Sequence, residues 1–259
     1  MVVSTPGEAY FDVSTHEAGN IPELADRERT RQQHDLLKST MAASGCEVID
    51  VPELAKHPNS AFPRDVALCT PEGYIKLRMG LEARRGEEEW ISRALQAIGE
   101  PFVGEITGPA TAEGGDVILA GSVAFVGLSH RTNQAGVDQL TDLLRAMGYE
   151  VRTASVKDRY MHLGGGMSAI GPERFLCCRG VFPEEFFKGF DTIEVEPQGP
   201  STGNVICLDH NEVIANAAEN APVIRELAVR GVTVHGINLS EFRKGAGGPT
   251  CLILPVERK

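Results

Sequence analysis

Residue types suited to covalent chemistry occur beside glycine-rich stretches of the sequence. Cys251 follows the loop 245–250, His162 precedes the glycines at 164–166, and Glu113 precedes a glycine pair. A thiol can attack carbon as a nucleophile, an imidazole can act as general acid and base, and a carboxylate can orient the imidazole. Glycine lets the backbone approach a ligand closely. These residues form a candidate set for covalent catalysis, with Cys251 as the nucleophile.

Each member of this set also has an ordinary structural interpretation. Most free cysteines are small buried apolar residues, and a lone histidine is usually a core residue with satisfied hydrogen bonds. The acids of the segment 113–116 could cap backbone amides in a turn. Glutamates 87–89 are typical of a solvated helix start, and the glycines 164–166 of a flexible connection. The catalytic interpretation therefore depends on whether separate segments converge in space.

Composition limits the classes of partner. The 259-residue chain carries a net charge of −11 and no long basic run, so nucleic acid and acidic membranes are poor partners. A small cationic substrate is compatible with this charge. The six cysteines show no C-x-x-C spacing, which argues against a zinc motif and favours a reducing compartment. The start of the chain lacks a signal-peptide pattern and no apolar run is long enough to span a membrane, so a cytoplasmic location is expected.

The order of predicted elements repeats along the chain. Strand, tight turn, strand, helix and strand follow one another, and the unit recurs five times. Tight hairpins require antiparallel pairs, which argues against an all-parallel sheet. We therefore predict an α/β fold with one domain, residues 1–259, arranged as a five-bladed α/β propeller. The first strands of the units begin near Phe62, Asp116, Met167, Val205 and Cys251.

The fifth unit is predicted to join the two ends of the chain. Its first strand would be Cys251–Val256, and it would be completed by a helix at Ile21–Ala43 and a strand at Cys46–Val51. Closing a ring with both chain ends is how radial repeats hide their edges. Residues 8–20, which precede that helix, could fold over the site as a lid.

Polar residues cluster at or just before the first strand of each predicted unit, and equivalent positions of a closed ring meet at its axis. A thiol there needs a positive neighbour to become a thiolate, and surrounding carboxylates would oppose this. A cationic guanidinium substrate would supply the missing charge, which predicts attack on a guanidinium carbon. The clustered residues are Asn59, Arg64, Asp65, Glu113, Asp116, His162, Asn204 and Cys251.

With these residues in place, the chain resembles the guanidino-group modifying enzymes, the α/β-propeller (pentein) superfamily of dimethylarginine dimethylaminohydrolases, arginine deiminases and amidinotransferases. The resemblance covers essentially the whole chain. The chain is also similar in length to the short dimethylarginine hydrolases. The matching segments are Gln33-His34, Phe62-x-x-Asp65, Ala83–Glu87, Glu113–Asp116, Gly127–Asn133, Met161–Leu163, Asn204, Glu241–Lys244 and Gly247–Cys251.

The resemblance implies a hydrolase that converts arginine or an Nω-methylated arginine to citrulline and an amine through a covalent thiouronium on Cys251. His162 would protonate the leaving amine and then activate water. Glu113 would orient His162 and bind the guanidinium. It implies neither a metal nor an organic cofactor, and a homodimer is compatible with it.

The resemblance also implies a substrate-binding set. Asp65 would hold guanidinium nitrogens, while Arg84 and Arg131 would grip the substrate carboxylate, a task that suits the bidentate guanidinium fork. Asp116 is grouped with this set, although we expect it to support the loop more than to touch substrate.

The specificity segment departs from the dimethylarginine hydrolases. Asn59 and Arg64, counted among the substrate-binding residues, resemble the arginine deiminase motif. Gly164, however, stands where deiminases carry an aspartate, which predicts extra room for a methylated nitrogen. A compact arginine deiminase, an amidinotransferase and a non-catalytic arginine-binding propeller therefore stay open as alternatives.

Overall fold

Small sheets of two or three strands make up this fold, and a computed structural model of the protein describes residues 1–12 and 21–256. In this part of the chain, fourteen strands form five sheets, so the predicted α/β class is confirmed. The strands are β1 (Val2–Ser4), β2 (Ile49–Val51), β3 (Ala67–Thr70), β4 (Gly73–Lys76), β5 (Phe102–Glu105), β6 (Val117–Ala120), β7 (Val123–Leu128), β8 (Glu150–Ser155), β9 (Met167–Gly171), β10 (Arg174–Cys178), β11 (Asp191–Val195), β12 (Val205–Asp209), β13 (Glu212–Asn216) and β14 (Thr233–Ile237).

Helices alternate with these strands. Several short 3-10 turns complete the connections, and the third unit carries only such a turn, Glu184–Phe187, where the other units have an α-helix. The α-helices are α1 (Arg27–Ala43), α2 (Glu87–Ala97), α3 (Gln134–Ala146), α4 (Leu163–Gly166), α5 (Ala221–Val229) and α6 (Ser240–Lys244).

Each three-stranded sheet has the same internal order. Its first two strands form an antiparallel hairpin, and its third strand runs parallel to the second after a crossover. In β6–β7, for example, Ala120 pairs with Val123 across a turn in which Gly121 has a φ of +54°. A positive φ favours glycine, which explains why a glycine occupies this turn. The repeated unit predicted from the sequence is confirmed in these four sheets.

The fifth sheet joins the chain ends in a way that the sequence analysis did not predict. Strand β1 pairs parallel with β2, and Val2 also forms an antiparallel bridge with Leu254. The predicted strand Cys251–Val256 is wrong, because Pro249–Leu252 forms a 3-10 turn. The middle strand of this unit is instead β1, which was missed.

Helix α1 starts later than predicted because its cap lies later. The side chain of Asp26 accepts a hydrogen bond from the backbone amide of Arg29, which makes Asp26 the N-cap in place of the expected Asn20. Asn20 itself lies outside the described residues. Of the predicted lid, residues 13–20 also lie outside them, whereas Ala9–Phe11 form a 3-10 turn with Tyr10 buried.

The helices pack their apolar faces against the sheets. In α3 the buried residues Val137, Leu140 and Leu144 recur at helical spacing, and Asn133 caps the helix. Strand β9 contacts both β6 and β12, so neighbouring sheets touch through their first strands. The described part of the chain contains no helix that is both long and apolar enough to cross a membrane.

Phe125 lies at the centre of an aromatic cluster and gives a direct test of this packing. Its ring is fully buried and contacts the rings of Phe175, Phe186 and Phe190. We expect Phe125→Ala to lower the free energy of unfolding by about 3–5 kcal/mol, measured by urea denaturation. The control is Phe102→Ala, which removes a phenylalanine that is 51% exposed, and it should cost about 1 kcal/mol or less. Equal losses in the two variants would contradict the assigned core.

Candidate active site

The side chains of His162 and Glu113 form a close ionisable pair at the site. His162 Nε2 lies 2.7 Å from Glu113 Oε2, and both residues are buried. The other oxygen, Oε1, accepts a hydrogen bond from the amide of Gly80 at 2.9 Å and lies 3.6 Å from Arg131 Nη1. Glu113 precedes the turn Gly114–Asp116, whereas His162 directly precedes α4. The predicted orienting contact between carboxylate and imidazole is therefore present.

Asp65 sits beside this pair and is held by its own partners. Its Oδ1 accepts from the amide of Gly115 at 3.2 Å and lies 3.9 Å from His162 Nδ1. Its Oδ2 accepts from Arg84 Nη1 at 2.7 Å. Gly115 permits this arrangement, since an added Cβ would come within 2.6 Å of His162 Nδ1. In the sequence Glu-Gly-Gly-Asp, the glycine at position 115 is therefore required by close packing against His162 as well as by the turn.

Cys251 lies in the turn that follows the glycine loop. Its Sγ accepts a hydrogen bond from the amide of Gly248 at 3.4 Å. Burial raises the pKa of this thiol to about 11, and the negative charge of Asp65 adds to the effect, although the Gly248 amide and the nearby arginines oppose it. In the absence of a bound cation, the thiol is therefore protonated at neutral pH.

His162 has the opposite protonation bias to an ordinary buried histidine. Burial lowers its pKa, but the charges of Asp65, Asp116 and Glu113 outweigh burial and raise the pKa to about 9. Glu113 is buried as well, which raises its pKa, yet the bond to His162 and the positive charges of Arg84 and Arg131 bring it down to about 2. At neutral pH the pair is therefore imidazolium and carboxylate.

These groups face a common cleft. Its volume is ≈ 360 Å³ including the open mouth, within the range of small-molecule sites. Six of the predicted site residues, from the first, second, third and fifth units, line this cleft, whereas Glu113 is fully buried beside His162 and does not. The lining residues are Asn59, Phe62, Asp65, Arg84, Arg131, Met161, His162, Gly245, Ala246, Gly247 and Cys251.

Arg84 lines the cleft, but protein groups occupy most of its N–H donors. Nε donates to Glu87 at 2.9 Å, Nη1 to Asp65, and Nη2 to the carbonyl oxygens of Asn59 and Phe62. This geometry fixes Asp65 and leaves Arg84 poorly placed to form the expected bidentate grip on a substrate carboxylate. Arg131 carries fewer protein contacts and is the better candidate for that grip.

Two other predicted substrate-binding residues do not line the cleft. Arg64 donates from Nη2 to the carbonyl oxygen of Val117 at 2.8 Å, so its guanidinium contacts the backbone of β6. Asp116 is fully buried and accepts bonds from the hydroxyls of Ser129 and Thr132 and from the amide of Leu163. The structure therefore corrects the assignment of Arg64 and agrees with the supporting position expected for Asp116.

Gly164 also differs from its expected position. It does not line the cleft, and an added Cβ would lie 3.2 Å from the carbonyl oxygen of Gly115 and 3.8 Å from Asn204 Nδ2. The room at this glycine therefore faces other protein groups, contrary to the expectation of extra space for a methylated nitrogen. The glycines 164–166, expected as a flexible connection, instead belong to α4.

Sequence reasoning missed the contribution of two glutamates. Glu87, expected on a solvated helix start, is buried and binds Arg84, and Glu88 is buried and accepts from the amides of Met79 and Gly86. The available signal was the pairing of two arginines with three glutamates in Arg84–Glu89, which exceeds what capping a short helix requires. Met161 was also missed as a cleft residue.

A metal ion would compete with existing hydrogen bonds at this site. Ligand atoms of Asp65, Glu113 and His162 lie within 4.8 Å of one another, and this is the one such group in the part of the chain that the structure describes. The Asp65 oxygens already accept from Gly115 and Arg84. Both Glu113 oxygens have partners, and His162 bears a positive charge, which opposes metal ligation.

We therefore expect the purified protein to hold no stoichiometric metal. Elemental analysis should detect none, and dialysis against EDTA should leave the melting temperature unchanged. One equivalent of a metal whose removal lowers the melting temperature would contradict this assignment of the three side chains.

The Glu113–His162 pair makes a prediction about pH. In Glu113→Gln the imidazolium loses its closest negative partner, so the pKa of His162 should fall well below about 9 toward or below the ordinary value. Titration of the ring signals by NMR measures this shift. In the wild type, the stabilisation that comes from the raised pKa is complete below about pH 6.5 and is lost as the pH rises through about 9.

Glu212→Gln is the matched control, because Glu212 Oε1 lies the same 2.7 Å from Nε2 of His235, and both residues belong to the sheet β12–β13–β14 and do not line the cleft. This variant should leave the titration of His162 unchanged. An unaltered His162 titration in Glu113→Gln would show that the pair does not set the pKa.

Known proteins resemble this chain over its whole length. A family model described as "N,N dimethylarginine dimethylhydrolase, eukaryotic" matches residues 9–194. The N(G),N(G)-dimethylarginine dimethylaminohydrolase of Pseudomonas aeruginosa is 27% identical over 254 residues, covering 98% of this chain and 98% of that protein. The Streptomyces coelicolor protein of the same name is 28% identical, with 89% of this chain and 87% of that protein covered.

A solved structure is similar as well. It is the P. aeruginosa dimethylarginine dimethylaminohydrolase, a cysteine-to-serine variant complexed with citrulline, and it matches with a TM-score of 0.84 at 28% identity. The match covers 98% of this chain and 97% of that one. Since the family model spans well over half of the sequence, the chain belongs to the dimethylarginine dimethylaminohydrolase family.

Proposed function

We propose that this protein hydrolyses the guanidino group of an Nω-methylated arginine, giving citrulline and a methylated amine through a covalent thiouronium on Cys251. The observation that carries the proposal is the convergence of Cys251, His162 and Asp65 in one cleft, with Glu113 bonded to His162 behind it. Family membership supports the same chemistry, and a relative of this family binds citrulline.

The position of Arg64 bears on the choice between methylated and unmodified arginine. A deiminase-like segment at Asn59–Asp65 was the sequence argument for arginine as substrate. Arg64 contacts the backbone of Val117 and does not line the cleft, so it does not support arginine as the substrate. Asn59 remains at the cleft, and unmodified arginine is therefore the second candidate.

The first half of the reaction depends on the charge of the substrate. A guanidinium bound to Asp65 neutralises the charge that raises the pKa of Cys251 and adds a positive charge near its Sγ. The thiol then loses its proton to solvent, and the thiolate forms a C–S bond to the guanidinium carbon. In the resulting neutral tetrahedral species, His162 gives its proton to the leaving nitrogen, the C–N bond breaks, and the amine departs from a cationic thiouronium.

The second half returns each group to its starting state. Neutral His162 takes a proton from water as the water oxygen bonds to the thiouronium carbon. The C–S bond then breaks, its electron pair stays on the sulfur of Cys251, and the remaining hydroxyl proton is released as the ureido carbonyl of citrulline forms. With a neutral product in the cleft, the thiol is reprotonated. Glu113 keeps the imidazole oriented throughout.

Binding of the amino-acid portion is assigned mainly to Arg131. Its side chain faces the cleft, and its one close acidic neighbour among the described residues, Glu113 Oε1, is 3.6 Å away and already accepts from Gly80. A guanidinium in this state can form the bidentate pair with a substrate carboxylate. Arg84 contributes by holding Asp65.

We also propose that the chain forms a single domain in which the five units close into a five-bladed ring. Contacts of β9 with β6 and β12 and the bridge between Val2 and Leu254 support closure. The six cysteines are free, which supports the expected cytoplasmic location.

The test offers asymmetric dimethylarginine, monomethylarginine and arginine side by side and identifies both citrulline and the released amine. We expect citrulline with dimethylamine from the wild type and none from Cys251→Ser, which lacks the thiolate nucleophile. The serine variant should still bind substrate, as measured by calorimetry, because the contacts of Asp65 and Arg131 persist.

Other outcomes separate the alternatives. Citrulline with ammonia from arginine alone would identify a compact deiminase, and turnover that requires an added amine would identify an amidinotransferase. Binding without citrulline from any of the three would indicate an arginine-binding protein. Full activity in Cys251→Ser would overturn the mechanism.

A further inference from the structure

The buried side chain of Asn204 connects the segments that carry Cys251 and His162. Its Nδ2 donates to Thr250 Oγ1 at 2.7 Å and to the carbonyl oxygen of Gly164 at 2.9 Å. Its Oδ1 accepts from the amide of Thr250 at 2.9 Å. One amide group thus uses both donors and its acceptor on two different units of the fold.

The partners of Asn204 lie next to the reacting groups. Thr250 directly precedes Cys251 in the turn Pro249–Leu252, and Gly164 is in α4, which begins immediately after His162. Any displacement of these partners would move the sulfur and the imidazole relative to each other. Asn204 itself does not line the cleft.

The backbone around Asn204 is fixed against the same helix. Gly203 donates its amide to the carbonyl oxygen of Gly165 at 3.0 Å. An added Cβ on Gly203 would come within 2.3 Å of the carbonyl carbon of Gly166, so the two segments are in direct contact. On the other side, an added Cβ on Gly248 would lie 2.9 Å from Asn204 Oδ1. The glycine before the nucleophile turn is therefore needed to accommodate the amide.

We propose that Asn204 is a positioning residue. It fixes the turn Pro249–Leu252, which carries Cys251 (the Cys251 turn), against helix α4, which directly follows His162. The proposal extends the function assigned to this cleft and rests on it for its catalytic consequence. A misplacement of about 1 Å between reacting groups can lower a rate by about 10². Because Asn204 does not line the cleft, its loss should lower kcat far more than it changes KM.

A positioning role differs from a general contribution to stability in its effect on the thiol. Released from Asn204, the Cys251 turn should move toward water and away from Asp65, so the pKa of the thiol should fall from about 11. Cys251 should then react faster with iodoacetamide at pH 8 although catalysis is slower. General unfolding would instead expose buried Cys177 in parallel.

The experiment measures kcat, KM and melting temperature, together with iodoacetamide labelling of the Cys251 and Cys177 peptides by mass spectrometry between pH 7 and 11. The variants are Asn204→Ala and the pair Thr250→Val and Thr250→Ser. Valine removes the hydroxyl that accepts from Asn204, whereas serine keeps it. Asn216→Ala is the matched control, because Asn216 is also buried and accepts from the amides of Ala218 and Leu239, neither of which lines the cleft.

We expect kcat to fall by about 10–10² in Asn204→Ala, with a smaller fall in Thr250→Val and recovery in Thr250→Ser. In the first two variants the labelling profile of Cys251 should move to lower pH while labelling of Cys177 stays unchanged. The Asn216→Ala control should lose melting temperature without changing the Cys251 profile. If Asn204→Ala does not fold, the two Thr250 variants decide the question.

An unchanged Cys251 profile in a folded Asn204→Ala variant would overturn the proposal. So would parallel labelling of Cys251 and Cys177, or equal behaviour of Thr250→Val and Thr250→Ser. Labelling requires no guanidine substrate. It therefore reports on Asn204 even if the wild type turns over none of the three substrates, an outcome that would count against the proposed function alone.

Discussion

Burying a charged group is costly unless it is paired, and this constraint organises the structure around the cleft. Asp65 is paired with Arg84, Arg84 with Glu87, and Glu113 with His162. Removing one partner from such a pair leaves an uncompensated buried charge, at a cost of about 3–5 kcal/mol. The site is therefore assembled as a connected network: the first unit supplies Asp65, Arg84 and Glu87, and the second and third units supply Glu113 and His162.

The same constraint explains why the resting thiol is neutral. Burial and, after it, the negative charge of Asp65 raise the pKa of the Cys251 thiol, so the apo site keeps the sulfur protonated. Entry of a guanidinium brings one positive charge, and loss of the thiol proton brings one negative charge. The buried site with bound guanidinium and thiolate therefore has the same net charge as the empty site with a protonated thiol. In the proposed mechanism, activation of Cys251 is linked to binding of a cation, so the thiol would stay protonated when no substrate is present.

Local sequence signals predicted the elements that are defined by their own turns and caps. The sequence predicts a strand at Val123–Leu128 after the turn Gly121-Ser122 and a helix at Ala221–Val229 before Gly231, and β7 and α5 have these bounds. Strand β1 has no such signal. It consists of Val2–Ser4 and forms through pairing with residues 49–51 and 254, which are distant in sequence. The prediction of a strand at Cys251–Val256 is wrong for the same reason, since the turn Pro249–Leu252 depends on a contact of Thr250 with Asn204.

Residue types predicted which groups meet at the site but not the direction of the long side chains. The short side chains of Asp65, Glu113, His162 and Cys251 can reach little beyond their own backbone position, so placing the backbone places the functional group. An arginine can reach several partners from one position, and its direction depends on which acceptors other units present. Specificity inferred from arginines in a motif is therefore less secure than chemistry inferred from short side chains. Arg64 contacts the backbone of Val117, and the neutral groups that line the cleft are Asn59, Phe62 and Met161, so these are the surfaces that a substituted guanidine nitrogen would meet.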